Sequence, residues 1–191
     1  MKKLGVVITD GVGFRNFILS DFIMEAQQQF NEVVLLSCLP KEAYADLNLR
    51  CKIIELDVFE EKFTTWLFRK TKEVAHLQHH RKGNFGITDN FIANHSRAKS
   101  ARGIATRLIY KFTSLFCNEN WIVKYNRWQQ LTFMNHPITK RYKDLLQQLE
   151  LDHLFFTNQR PPYIAPLVLA AKELQLKTKI AVDNNINFFI F

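Results

Sequence analysis

VVITDGVGFRNFILSDFIMEA, residues 6 to 26, runs from an apolar stretch through a glycine-containing turn into apolar residues at helical spacing. Extended upstream, KLGVVIT (3 to 9) is a near-continuous apolar run of strand length, as expected of a strand buried on both faces. After the turn, Phe17, Ile18, Phe22, Ile23 and Ala26 recur at helical offsets, with Asn16 or Ser20 near the helix start. EVVLLSCL (32 to 39) predicts a second strand and CKIIELDVF (51 to 59) a third. Strand, helix and strand in that order make a βαβ unit, whose crossover is almost always right-handed.

The same alternation returns late in the chain. PITKRYKDLLQQLE opens with Pro137 in a first helical turn and places Ile138, Tyr142, Leu145 and Leu149 on one stripe. DHLFFTN predicts a short buried strand, YIAPLVLAAKELQL a helix and KTKIAVD a strand, giving a second βαβ unit. The expectation is an α/β, Rossmann-like domain with a largely parallel sheet flanked by helices, spanning residues 1–191.

Between the two halves the composition changes. From Lys62 to Lys143 there are 16 Lys or Arg against three acids, whereas the rest of the chain holds 10 basic and 15 acidic residues, within a total of +8. FTTWLFRKTKEVAHLQHHRK and RGIATRLIYKFTSLF predict basic amphipathic helices, and NWIVKYNRWQQLTFM (120 to 134) a further one, with Trp121, Tyr125 and Trp128 on one side. GNFGITDNFIANHS (83 to 96), polar and with two glycines, predicts a loop. Residues 62–136 are therefore a basic helical insertion.

Several classes are set aside by composition. At 191 residues and 47% apolar content the chain is globular, with no run of about 18 apolar residues to span a bilayer. MKKLGVVITDG starts like a signal peptide, but its apolar stretch meets Asp10 too soon and no small-residue cleavage site follows. Cys38, Cys51 and Cys117 are odd in number and scattered, which argues against a disulfide framework or zinc knuckle and suits a reducing cytoplasm.

The first turn, GVGFRN, carries two glycines of a dinucleotide fingerprint, but Asn16 stands where the third belongs. The second strand ends in Ser37, with Glu42 only beyond Pro40, so no acid is placed for a ribose and no cofactor is expected. Gly11 and Gly13 would let backbone approach a ligand, Gly13 at positive φ, with free N–H groups, the positive helix end and Arg15 facing it. The competing reading is a tight strand-to-helix turn with a solvated Arg. Late in the chain, Asn158, Gln159 and Arg160 follow a strand and precede a helix, the edge where open α/β sheets bind ligands.

DGVGFRNF together with FTNQRPPYIAPLVLAAKELQLKT resembles the amino-terminal half of bacterial GT-B glycosyltransferases that build surface polysaccharides and glycolipids, over residues 4 to 60 and 137 to 183. The resemblance implies an acceptor-side Rossmann-like domain for a glycan or glycolipid, whose partner half binds the nucleotide-sugar donor. That donor-binding carboxyl-terminal domain is absent from this sequence, so the chain by itself is expected to be inactive. NNINFFIF at the end of the sequence is expected to pair as a strand or to lead into that partner half. A nucleotide- or nucleic-acid-binding α/β module without catalysis is the alternative.

Within the resemblance, inverting transfer needs a base at the acceptor hydroxyl. Asp10, at the mouth of the first strand, is the candidate, although Asp there is also a common cap. Asn16, Asn158 and Gln159 would hydrogen-bond acceptor hydroxyls, and Arg15 and Arg160 would meet a phosphate or carboxylate. His95 is an alternative base. His76, His79 and His80 share a helical face but bring no carboxylate, so a solvated basic face is favoured over a metal site. For the basic insertion, three readings stay open: an ordinary wet helical surface, an anionic membrane met from the cytoplasmic side, and, least favoured, nucleic acid.

Overall fold

β1 (Lys3–Ile8) pairs with β2 (Glu32–Ser37) on one side and β4 (His153–Phe156) on the other, and β3 (Lys52–Glu55) and β5 (Lys177–Ile180) complete a sheet of order β3-β2-β1-β4-β5. Every pairing is parallel, with Val7 opposite both Leu36 and Phe156. The computed structural model describes residues 2–158 and 163–180. The α/β class and parallel sheet expected from the sequence are thus what the protein has. Gln159, Arg160 and the terminal NNINFFIF stretch lie outside the described residues.

The chain forms two compact units, residues 1–60 with 134–191, and residues 61–133. In the first, β1 and β2 are apolar on both faces because both faces are covered. Leu4, Val6, Ile8, Val33 and Leu35 pack with Ile18, Ile23 and Ala26, the last two from α2 (Phe22–Gln29). Val7, Val34, Leu36, Leu154 and Phe156 are buried from the opposite face, as strand alternation requires. Removing such side chains from water stabilises by about 1.5–3 kcal/mol each, which is what holds strands rich in β-branched residues in register.

The ends of β1 to β4 are set by local chemistry and fall short of the expected ones, while the last three residues of the expected strand KTKIAVD lie outside the described residues. β2 stops at Ser37, whose Oγ donates to the Leu39 carbonyl (2.9 Å), accepts from the Leu39 N–H (2.9 Å) and lies 2.7 Å from the Tyr44 hydroxyl. That hydroxyl turn, followed by Pro40, diverts the chain from the ladder. α7 (Pro137–Leu149) has Pro at its start, and His136 Nδ1 accepts from the Ile138 N–H at 3.2 Å. Tyr142 of α7 donates its hydroxyl to the Asp57 carbonyl at 2.6 Å, anchoring the segment after β3, and burial pushes this phenol well above its ordinary range. α8 (Ile164–Glu173) buries Leu167, Ala170 and Ala171.

The second unit is built around α3 (Phe63–His80). Trp66 and Val74 of α3 pack on Ile109 and Tyr110 of α5 (Ala101–Thr113), while Ala75 packs on Ile122 and Tyr125 of α6 (Glu119–Leu131). Ser100 caps α5 by accepting from Gly103 N–H (3.2 Å), and Asn118 caps α6 by accepting from Trp121 N–H (3.1 Å).

The expected loop over 83 to 96 is instead largely helix, α4 (Phe85–Ala93). Asn84 caps it, its side chain accepting from the Ile87 N–H at 3.1 Å. Ile87 and Phe91, four residues apart, face inward, Phe91 lying 4.8 Å from the Tyr110 ring while Tyr110 donates to the Phe91 carbonyl at 2.6 Å. With an apolar stripe of only two residues, the helix owes its form to the cap and these contacts rather than to periodicity.

Candidate functional site at the sheet edge

Strand order reverses at β1, since β2 and β3 build outward on one side and β4 and β5 on the other. The carboxyl ends of β1 and β4 therefore flank the crevice where doubly wound sheets receive ligands. Asp10 follows β1 and Asn158 follows β4, and the two meet: Asn158 Nδ2 donates to Asp10 Oδ2. The two turns singled out in the sequence are joined at this edge through these residues.

Asp10 has extended backbone and caps α1 (Gly11–Gly13), a single turn that passes into a π-helical turn over Phe14–Ile18. Its Oδ1 accepts from the Gly13 N–H at 2.8 Å, and its backbone carbonyl accepts from the Phe14 N–H at 3.0 Å. Both carboxylate oxygens thus have one partner, and each keeps a second lone pair for a ligand hydroxyl. Two N–H groups expected to face a ligand are consumed by Asp10. A long helix does not begin here either, because α2 starts at Phe22, where Ser20 Oγ accepts the Phe22 N–H at 3.3 Å.

The two glycines divide their roles. Gly13 is buried at φ −59°, ψ −43°, so the positive φ expected for it is corrected; what excludes a side chain is space. A Cβ there would stand 2.5 Å from Thr157 Oγ1 and 3.3 Å from Thr157 Cβ. Thr157 is fixed in turn, its Oγ1 and its N–H both donating to the Val7 carbonyl at 2.8 and 3.2 Å. Gly13 therefore serves close packing of the turn on the end of β4. Gly11 is exposed, with nothing within 4 Å of its would-be Cβ.

Arg15 and Asn16 are exposed beside this turn, Arg15 Nε donating to Asn16 Oδ1 at 3.3 Å. An exposed pair of this kind contributes little to stability, so both side chains are free to turn to a ligand at small cost. Cys38 faces the same negative charge: burial, and secondarily the Asp10 carboxylate, push its thiol up to about 11, so it stays protonated and is no thiolate nucleophile. Ser37, the position where a ribose-binding acid was sought, is consumed by Tyr44 and Leu39.

Thr9 is a residue that sequence reasoning missed. It is only 7% exposed, it immediately precedes Asp10, and its Oγ1 has no hydrogen-bond partner among the described residues. A buried hydroxyl in that state costs about 1–3 kcal/mol, a local cost carried directly beside Asp10. As the last letter of an apolar run it gave no sequence signal.

The remaining candidates belong to the helical unit. The solvated face expected for the three histidines holds for His79 and His80, which are exposed, but is corrected for His76, which is buried at 4% exposure and held down to about 4 by desolvation and by neighbouring cations including His80 and His79. The rings of His76 and His80 lie 4.4 Å apart. Among the described residues no three His, Cys, Asp or Glu side chains gather to hold a metal. His95 sets its ring edge-on to Tyr110, 4.8 Å away. No helix among the described residues is long and apolar enough to cross a membrane. Compared with known proteins, the chain matches no family model, no curated protein and no solved structure.

Proposed function

We propose that the sheet-bearing unit is the acceptor-side half of a GT-B glycosyltransferase acting on a surface polysaccharide or lipid-linked sugar, with the nucleotide-sugar donor held by a second domain. The observation that carries it is the contact between Asp10 and Asn158, which joins the turns after β1 and β4 at the switch point of the sheet. In an inverting transfer the acceptor hydroxyl oxygen bonds to the anomeric carbon, the bond from that carbon to the nucleotide diphosphate breaks, and the hydroxyl proton passes to Asp10. Asn158, already oriented by Asp10, holds a neighbouring hydroxyl together with Asn16. Arg15 pairs with an anionic group of the acceptor. By the same resemblance Gln159 and Arg160 extend this set. The basic helical unit would keep the enzyme on the cytoplasmic face of an anionic bilayer, where a lipid-linked acceptor resides.

The test is amide-resolved NMR titration of the chain with soluble sugar phosphates, neutral glycans and, as comparison, NAD and an oligonucleotide. Sugar phosphates should shift residues 9 to 16 and 157 to 158, and Arg15→Ala should weaken their binding by about 10- to 150-fold, as a lost charge-assisted hydrogen bond of about 1.5–3 kcal/mol implies. In a complete enzyme joined to its donor-binding half, Asp10→Asn should lower turnover by about 10²–10⁴-fold while KM for the acceptor changes little. Tighter binding of NAD or oligonucleotide at this edge would replace the reading with that of a non-catalytic nucleotide-binding module.

A further inference from the structure

An open apolar groove of about 400 Å³ lies within the helical unit, between α3, α5 and α6. Leu67, Ile109 and Tyr125 form its floor, and Phe63, Leu108, Phe112 and Trp128 its lips, with exposures of 47, 61, 45 and 37%. Its two side-chain hydroxyls are both engaged by backbone, Thr71 Oγ1 donating to the Leu67 carbonyl at 2.8 Å and the Tyr125 hydroxyl to the Phe116 carbonyl at 2.9 Å, so the lining is predominantly apolar. Four large apolar side chains left half in water around one concavity mark a place that something covers.

Charge decides what covers it. Residues 61–133 hold 13 Lys or Arg against four acids, a net charge of +9. Lys111 and Arg127, on the same helices as Leu108 and Trp128, are exposed, and Lys124 stands over the Trp121 ring at 4.4 Å. A second copy of this unit would bring +9 against +9, which disfavours self-association. A nucleic acid satisfies the cations and can stack bases on the aromatic half of the lining, but the aliphatic half, Leu67, Ala105, Leu108 and Ile109, leaves the polar edges of a base inserted into the concavity unpaired, whereas hydrocarbon fills it at no such cost. A chain that is anionic at one end and hydrocarbon at the other satisfies both.

We propose that this groove takes an acyl chain of an anionic phospholipid, with Lys111, Lys124 and Arg127 around the headgroup; this deepens the membrane-surface reading of the helical unit and rests on it. The groove's volume lies within the range of about 300–1,000 Å³ typical of ligand sites, enough for a chain segment rather than a whole lipid.

The experiment uses the full chain with vesicles of phosphatidylcholine alone or mixed with phosphatidylglycerol, some with chain-brominated lipid. All three tryptophans, Trp66, Trp121 and Trp128, lie in this unit, so their fluorescence reports contact with bromine. Anionic vesicles should bind the chain and brominated chains should quench it, with Trp128→Phe removing most of the quenching. Leu108→Asp, at an exposed site that leaves folding intact, should weaken partitioning at least tenfold. Lys111→Glu should weaken it by about fivefold or more, as expected for a cation near the surface, and the loss should shrink in high salt. Binding with no quenching would overturn the groove proposal and leave surface association standing. Absence of binding to vesicles of any composition would overturn both. Equal binding to neutral vesicles, tighter binding to single-stranded RNA, or a Leu108-dependent dimer would overturn the anionic-lipid assignment.

Discussion

Gly13→Ala tests why the first turn contains its second glycine. The backbone at this position is right-handed helical, so alanine fits the torsions and by itself should stabilise by about 0.5–1 kcal/mol. Against that, the new Cβ would sit 2.5 Å from Thr157 Oγ1 and 3.3 Å from Thr157 Cβ, and the neighbour cannot swing away without giving up its 2.8 Å hydrogen bond to the Val7 carbonyl. Keeping the contact overpacks the turn at about 1–3 kcal/mol, and relieving it instead gives up a hydrogen bond worth about 1 kcal/mol together with the Thr157 packing. The clash wins, with a net loss of about 1–2 kcal/mol.

Tryptophan fluorescence would miss this change, since every Trp lies in the helical unit. Amide hydrogen exchange of β1 and β4 reads it directly: protection should fall about 5- to 30-fold. In a Thr157→Ala background the same Gly13→Ala change should cost nothing or stabilise slightly, so the double-mutant cycle yields a coupling above about 1 kcal/mol. If Gly13→Ala raised protection, or lowered it equally in both backgrounds, close packing against Thr157 would not be the reason for the glycine.

Two further outcomes concern the helical unit. Asn84→Ala removes the α4 cap and should cost about 0.5–2 kcal/mol, seen as loss of amide protection confined to residues 85 to 93, with Asn84→Asp restoring it. Because burial lowers His76 to about 4 from an ordinary value near 6.5, the unfolded chain takes up a proton there before the folded one does, so stability is full above about pH 6.5 and declines as pH falls toward 4. Urea midpoints by Trp fluorescence should follow this decline, by up to about 3 kcal/mol, and His76→Phe should remove most of the slope; an unchanged slope would assign it to other groups.

How much of this could be taken from sequence depends on whether a feature is local or long-range. β1 and β2 are legible because burial on both faces forces apolar runs in Val6–Ile8 and Val33–Leu36, and α7 because Ile138, Tyr142 and Leu149 recur with the period of the helix it forms, although the buried leucine between them is Leu146 and not the expected Leu145, which is half-buried. The α4 helix escaped because Asn84 and two inward residues do its work, which periodicity does not detect. The break before Phe22 escaped because Phe17, Ile18, Phe22 and Ile23 keep helical spacing through it, being held together by packing on Phe155 and its neighbours rather than by one continuous helix. At the candidate site, the meeting of Asp10 with Asn158 was legible from topology alone, since both follow strands that a doubly wound order places side by side. The roles of Gly13 and Thr9 were not. One depends on Thr157, far away in the chain, and the other on a missing hydrogen bond, and neither leaves a mark on neighbouring residues. The glycine pair that first suggests a ligand turn is therefore half structural: Gly13 closes the turn on β4, and the surfaces left open to a ligand are Gly11, Arg15, Asn16 and the spare lone pairs of Asp10.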